Sequence, residues 1–181
     1  CLACQVSHLV FASSSSVYGG LTETPFVESL DVSKPISPYA ATKRMNELMA
    51  HVYHATHGLQ TTLLRFFTVY GPRQRPDMAI HKFVRLAEEG KPLPFYGDGS
   101  TRRDYTYIDD VIDGVVKAVD KQLPYAIINL GEQTTTSLAE LIDLIGRHTG
   151  KPIELDRQPM QQGAVAVTFA DIAKARELLG Y

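Results

Sequence analysis

The stretch Ser37-Pro38-Tyr39-Ala40-Ala41-Thr42-Lys43 sets one phenol four residues ahead of one ammonium. On a helix, positions i and i+4 lie about one turn apart, so the two heads can share a small site. A neighbouring ammonium favours phenolate over phenol, and the positive end of the helix dipole acts in the same direction. Such a pair can take a proton from a bound hydroxyl. The plainer alternative is a surface helix whose polar side shows both groups. Upstream, the serines Ser13–Ser16 offer hydroxyls. Downstream, Arg73 and Arg75, then Arg102 and Arg103, could hold anions with their planar guanidinium forks. Each pair has a plainer reading too. Arg73 and Arg75 could be a solvated basic loop, and Arg103 could pair with Asp104 or Asp98.

The elements that must position these groups can be read from the same residues. Residues 8–13 are a short apolar run breaking into serines, as a buried parallel strand ending at a site would. Residues 19–37 are rich in Gly, Pro, Ser and Thr and read as a loop. Ser37 then serves as N-cap, Pro38 as first helical residue, and Gly58 as terminator. Met45, Leu48, Met49 and Val52 follow at helical spacing as an apolar stripe. Residues 61–66 are a second buried strand, which completes a βαβ unit and implies a parallel sheet. That arrangement puts hydroxyl, phenol and ammonium near the carboxyl end of a parallel sheet, where α/β proteins bind ligands. Beyond Gly71-Pro72 the pattern predicts helices over about 79–89, from Asp109, after a Ser137 cap, and from about Asp171. Strands are predicted within 93–108, at 126–130 and near 153–155.

The chain has 181 residues, a hydrophobic content of 44%, a charged content of 21% and a net charge of −2. That balance gives no general attraction to nucleic acid or to an anionic membrane. No apolar run approaches the ~20 residues of a spanning helix. Cys1 and Cys4 read as ordinary thiols of a reduced cytoplasm, because a zinc or redox site would need more partners. His51, His54 and His57 read as helix residues without a metal. The abrupt first and last residues read as those of a segment of a longer protein.

Four segments in order carry a family resemblance: HLVFASSSSVYG from His8, SPYAATK from Ser37, RFFTVYGPRQRPDMA from Arg65 and GDGSTRRDYTYIDDV from Gly97. They resemble the extended short-chain dehydrogenase/reductase family, the NAD-dependent nucleotide-sugar epimerases and dehydratases. Within it, the likeness is greatest to members that act on UDP-glucuronate. The resemblance implies an α/β fold: the C-terminal part of a Rossmann-like parallel sheet, plus a smaller mixed α/β substrate-binding region. It divides the chain into a partial Rossmann-like catalytic region, 1–71, and a nucleotide-sugar region, 72–181. Strand 126–130 and its following helix would return to the first.

The same resemblance implies roles. Tyr39 would be the base that takes the proton of the sugar 4-hydroxyl while hydride leaves C4 for NAD. Lys43 would bind the nicotinamide ribose and favour the phenolate, and Phe66 would lie near the nicotinamide. Ser14 would hydrogen-bond the reacting hydroxyl, with Ser16 beside it. Arg103 would contact the diphosphate, and Pro94 to Tyr96 the uridine. Thr68 stands where the common epimerase pattern has asparagine, and with Arg75 it would face a substrate carboxylate. A 4-keto glucuronate is a β-keto acid that loses carbon dioxide readily, so its carboxylate needs a firm hold.

Dehydratases and decarboxylases of the family carry an acid just after the Ser/Thr position. Here Ser14, Ser15 and Ser16 offer none, which favours epimerisation. The implied activity is 4-epimerisation of UDP-glucuronate by the full-length protein, as a homodimer using helix 38–57. The alternatives are a 4-epimerase of neutral UDP-hexoses, or a remnant that binds nucleotide sugar without catalysis. The family's glycine-rich turn for the NAD pyrophosphate would lie roughly a hundred residues before Ser14, ahead of Cys1. An acid usual to the family is replaced in Gln161-Gln162-Gly163-Ala164, which puts one ribose contact in doubt.

Overall fold

The computed structural model describes residues 1–160 and 165–181, so the Gln161–Ala164 substitution lies outside the described residues. A 3-10 turn at Leu2–Cys4 leads into β1 (His8–Ser14), and a second at Ser15–Tyr18 follows it. The helix α1 (Pro38–His57) then connects to β2 (Gln60–Phe66) and β3 (Thr68–Tyr70). Next come α2 (Ala79–Glu88), β4 (Leu93–Tyr96), β5 (Arg102–Arg103), β6 (Tyr105–Tyr107) and α3 (Ile108–Lys121). The chain finishes with β7 (Tyr125–Leu130), β8 (Thr136–Ser137), α4 (Leu138–Thr149), β9 (Leu155–Gln158) and α5 (Ala173–Leu179).

A parallel sheet of order β1-β2-β7 forms the centre, with Ser14 level with Phe66 and Phe66 level with Leu130. The remaining strands pair as short ladders: β3 with β6 and β4 with β9 in parallel, and β5 with β8 antiparallel. Two separate apolar clusters hold these parts. The first gathers Tyr18, Phe26, Leu64, Phe67, Ile128 and Leu130 around the central sheet. The second packs α2 and α4 on β4 through Phe83, Leu93, Phe95, Leu141 and Ile145. Strand β7 thus lies in the central sheet, whereas the helix after it, expected to return there, packs against α2 instead.

Helix boundaries follow local chemistry. Ser37 Oγ accepts the Ala40 N–H at 3.1 Å, Pro38 opens α1, and Gly58 closes it at φ 67°. Ser137 and Glu140 complete a capping box on α4. The last helix starts at Ala173 rather than Asp171, because the Asp171 carboxylate accepts the Ala173 N–H. The last strand runs two residues later than expected, at Leu155–Gln158, where it meets β4.

The apolar stripe on α1 does not reach the core. Met45, Leu48, Met49 and Val52 are all at least half exposed, and the buried residues are Ala40, Glu47 and Ala50. Small side chains let α1 lie close to the sheet. Between them the Glu47 carboxylate meets Arg65 of β2 at 2.9 Å, both side chains almost wholly buried. A charge so placed is tolerated only when paired and fully hydrogen-bonded.

Candidate active site

Strand β1 ends where its backbone stops pairing and turns. Ser14 Oγ accepts the Ser16 N–H at 3.1 Å and so caps the 3-10 turn that follows. Tyr39 stands in the first turn of α1, 56% exposed. Lys43, one turn on, donates from Nζ to the Ala12 carbonyl at 2.8 Å. The same ammonium lies 5.6 Å from the centre of the Tyr39 ring and 5.5 Å from that of Phe11. The phenol and ammonium of the sequence motif are therefore together, and the backbone at the strand end holds the ammonium.

A cavity of about 490 Å³ opens at this edge. Ser14, Ser15, Ser16, Ser37 and Tyr39 line it from the β1–α1 side of the chain, and Phe67, Thr68, Arg75, Met78, Arg103 and Thr168 from later elements. Ser16 Oγ is buried and has no partner among the described residues. Of the expected residues, the fold gathers Ser14, Ser16, Tyr39, Thr68, Arg75 and Arg103 at one cavity, with Lys43 immediately behind Tyr39. Three fall elsewhere. Phe66 packs partly buried against the first apolar cluster, and its neighbour Phe67 lines the cavity instead. Pro94 is buried in β4, and Tyr96 packs on the second cluster.

The arginines resolve one ambiguity. Arg102 pairs with Glu140 at 3.0 Å, whereas Arg103 forms no ion pair among the described residues. Asp104 does not reach it. Its buried carboxylate accepts the N–H groups of Glu132 at 2.9 Å and Ala170 at 3.1 Å. Burial nevertheless outweighs these bonds and pushes the Asp104 carboxyl up. Asp98 is engaged by Ser100. Burial also lowers the pKa of Arg103, as expected of a cation taken from water without a carboxylate beside it. Arg75 is exposed and pairs with Asp77 at 3.0 Å.

Two contributors have no role in the reading of the sequence. Thr168 arrives because its backbone exchanges bonds with Arg102 and Asp104, some sixty residues earlier in the chain. Met78, inside the segment quoted from Arg65 but given no role there, lies at the N-cap of α2. Ser37 was legible only as a cap.

The model of the NAD dependent epimerase/dehydratase family matches residues 1–131. The chain belongs to this family. It is 44% identical to a UDP-glucuronate 4-epimerase of Thermodesulfobacterium geofontis, over 97% of this chain and 54% of that protein. A crystal structure of UDP-glucuronic acid 4-epimerase from Bacillus cereus, with UDP-glucuronic acid and NAD, superposes with a TM-score of 0.91 at 40% identity. That match covers 96% of this chain and 55% of the other. A UDP-N-acetylglucosamine 4-epimerase from Methanobrevibacter ruminantium, in complex with UDP-N-acetylmuramic acid, superposes with a TM-score of 0.93 at 28% identity, over 99% and 59%. The chain spans about half the length of the curated relatives it matches. Among the described residues, no helix is long and apolar enough to cross a membrane.

Proposed function

We propose that the full-length protein carrying this chain is an NAD-dependent nucleotide-sugar 4-epimerase that interconverts UDP-glucuronate and UDP-galacturonate. The observation that carries the reading is the convergence, at one cavity, of a phenol backed by an ammonium, of Ser14, and of two arginines. The relatives of this name at comparable identity support it.

The donor set fits one end of NAD. Lys43 uses one N–H on Ala12 and has two left for ribose hydroxyls, at the carboxyl edge of a parallel sheet. When bound, NAD supplies a hydride acceptor and donor at C4 of the sugar. The residues of this chain do the rest. Tyr39, as phenolate, takes the proton of the 4-hydroxyl and later returns it. Ser14 hydrogen-bonds the same oxygen and fixes its direction. Arg103, without an ion pair among the described residues, takes the diphosphate, and Thr68 with Arg75 holds the sugar carboxylate against decarboxylation. No acid stands in the serine cluster to remove a second proton, which favours epimerisation over elimination.

One observation favours a second reading. The Arg75 guanidinium is already paired with Asp77, so a neutral UDP-hexose would suit the cavity without breaking that pair. The test is turnover of UDP-glucuronate and UDP-glucose by the full-length protein and its Arg75→Ala variant. A fall of ~10–100-fold in kcat/KM for the carboxylated sugar alone, the loss of one charge-assisted fork, supports the first reading. Equal effects on both sugars support the second. No turnover of either by the wild type removes both.

The exposed stripe Met45, Leu48, Met49 and Val52 on α1 is, in the same reading, the face that meets a second copy in the homodimer.

A further inference from the structure

The buried ion pair under the site has no part in the mechanism above, and its geometry asks for a role. Glu47 Oε1 accepts from Ser13 Oγ at 2.6 Å and from Arg65 Nε at 2.9 Å. Oε2 accepts from Arg65 Nη2 at 2.9 Å and Arg44 Nη1 at 3.1 Å. Burial alone would push the Glu47 carboxyl up. The bonds and charge of Arg65, with those of Ser13 and Arg44, outweigh it and hold the group below the ordinary range. The carboxylate is thus ionised, bidentate and fixed in direction.

Its partners are the backbone of the site. Ser13 is buried, and the next residue along β1, Ser14, lines the cavity. Side chains on a strand alternate, so fixing one fixes the aim of the other. Tyr39, Lys43 and Glu47 follow at intervals of four along one face of α1. Lys43 grips the Ala12 carbonyl and Glu47 grips the Ser13 hydroxyl, so two adjacent residues of β1 are tied to two adjacent turns of α1. On its other side the Arg65 guanidinium lies 4.9 Å from the Tyr18 ring, whose hydroxyl donates to Asn129 Oδ1 at 2.7 Å. The turn Ser15–Tyr18, which brings Ser15 and Ser16 to the cavity, therefore rests on the same ion pair.

We propose that Glu47 is a positioning residue for proton transfer: through Ser13 it sets Ser14 against the helix turn that carries Tyr39. Holding α1 on the sheet does not require a charge. A pair of apolar side chains of similar volume would do so as well or better, because burying two ions is costly. What an apolar pair lacks is the directed bond to Ser13. A misplacement of about 1 Å at a reacting group can cost ~10²-fold in rate, which is the scale on which such a bond acts. The kinetic part of this inference rests on the epimerase reading, and the structural part does not.

The test uses the full-length protein with NAD and three variants: Ser13→Ala, Glu47→Asp, and the double Glu47→Met/Arg65→Met. Steady-state kinetics on UDP-glucuronate give kcat and KM, urea unfolding gives the midpoint, and amide hydrogen exchange is followed over residues 13–18. The expected result is a fall in kcat of ~10–100-fold with KM within about twofold, in Ser13→Ala and Glu47→Asp alike. Exchange over 13–18 speeds up in both. The double variant keeps a midpoint near wild type yet shares the kcat loss. A kcat within twofold of wild type in Ser13→Ala and Glu47→Asp overturns the proposal. If the wild type turns over no UDP-sugar, the epimerase reading fails and exchange decides: unchanged protection over 13–18 overturns the clamp, and lost protection upholds it.

Discussion

Replacing Tyr39 by phenylalanine removes one oxygen from a side chain that is already more than half in water. Tyr39 is 56% exposed, and the Lys43 ammonium lies 5.6 Å from the centre of its ring. The ring, the N-terminal turn of α1 and the Lys43–Ala12 bond all survive the change. Exposed substitutions away from caps and networks stay within about 0.5 kcal/mol, so the unfolding midpoint should not move measurably. The rate is another matter. A positioned general base contributes ~10²–10⁴-fold, or about 2.7–5.5 kcal/mol at 1.36 kcal/mol per decade. The variant should therefore separate function from stability more cleanly than any change at the buried residues. The assay is conversion of UDP-glucuronate to its 4-epimer by the full-length protein, followed by chromatography, with sugar-nucleotide binding measured by calorimetry. Binding should change by less than about threefold, because the sugar is held mainly by groups other than the base. A kcat within tenfold of wild type, at equal folding, would refute Tyr39 as the proton acceptor and with it the mechanism.

Three more outcomes follow from the geometry. Asp104→Ala leaves the part-buried Glu132 N–H and the buried Ala170 N–H unpaired, so urea unfolding should show a loss of about 2–4 kcal/mol, at about 1–3 per orphaned donor, offset in part because the carboxylate is itself costly to bury. Glu47 has a depressed folded pKa; its stabilisation is complete above the ordinary glutamate value and is lost as pH falls through the depressed one, so Glu47→Gln should lower stability at neutral pH and flatten its decline in acid, read from urea midpoints across pH 2–7. Gly71→Ala would set a Cβ 2.5 Å from Ile108 Cγ2 at φ 137°, so it should destabilise by about 2–4 kcal/mol and, by shifting the loop to Arg75, raise KM for the sugar nucleotide.

The parts of the site that could be read in the sequence are those whose cause is local. Ser37, Pro38 and Gly58 bound α1 by capping chemistry within a few residues, and the i, i+4 spacing of Tyr39 and Lys43 is a property of the helix alone. Ser137 with Glu140 is another local device. The rest depends on partners far along the chain. Glu47 looks like a surface residue between Met45 and Leu48, and only Arg65, eighteen residues on, makes it buried. That pair also turns the helix so that the apolar stripe faces outward, against the usual reading of its period. Arg103 is released for the cavity because Asp104 spends its carboxylate on residues 132 and 170. No local pattern of RRDY distinguishes that outcome from a simple ion pair.

The difference in what supports the two groups of cavity residues has a consequence for how such a protein can change. Ser14, Tyr39 and Lys43, the reacting groups of the proposed mechanism, are anchored to β1 and α1, which the central sheet and the Glu47–Arg65 pair brace. Thr68 and Arg75 stand instead on a three-residue ladder strand and on the exposed loop after Gly71. Substitutions at the second pair can therefore accumulate without disturbing the first. A library confined to positions 68 and 73–78 should yield variants that accept new sugars at little cost in folding, whereas one that also varies positions 12–14 and 43–47 should lose most of its members to inactivity.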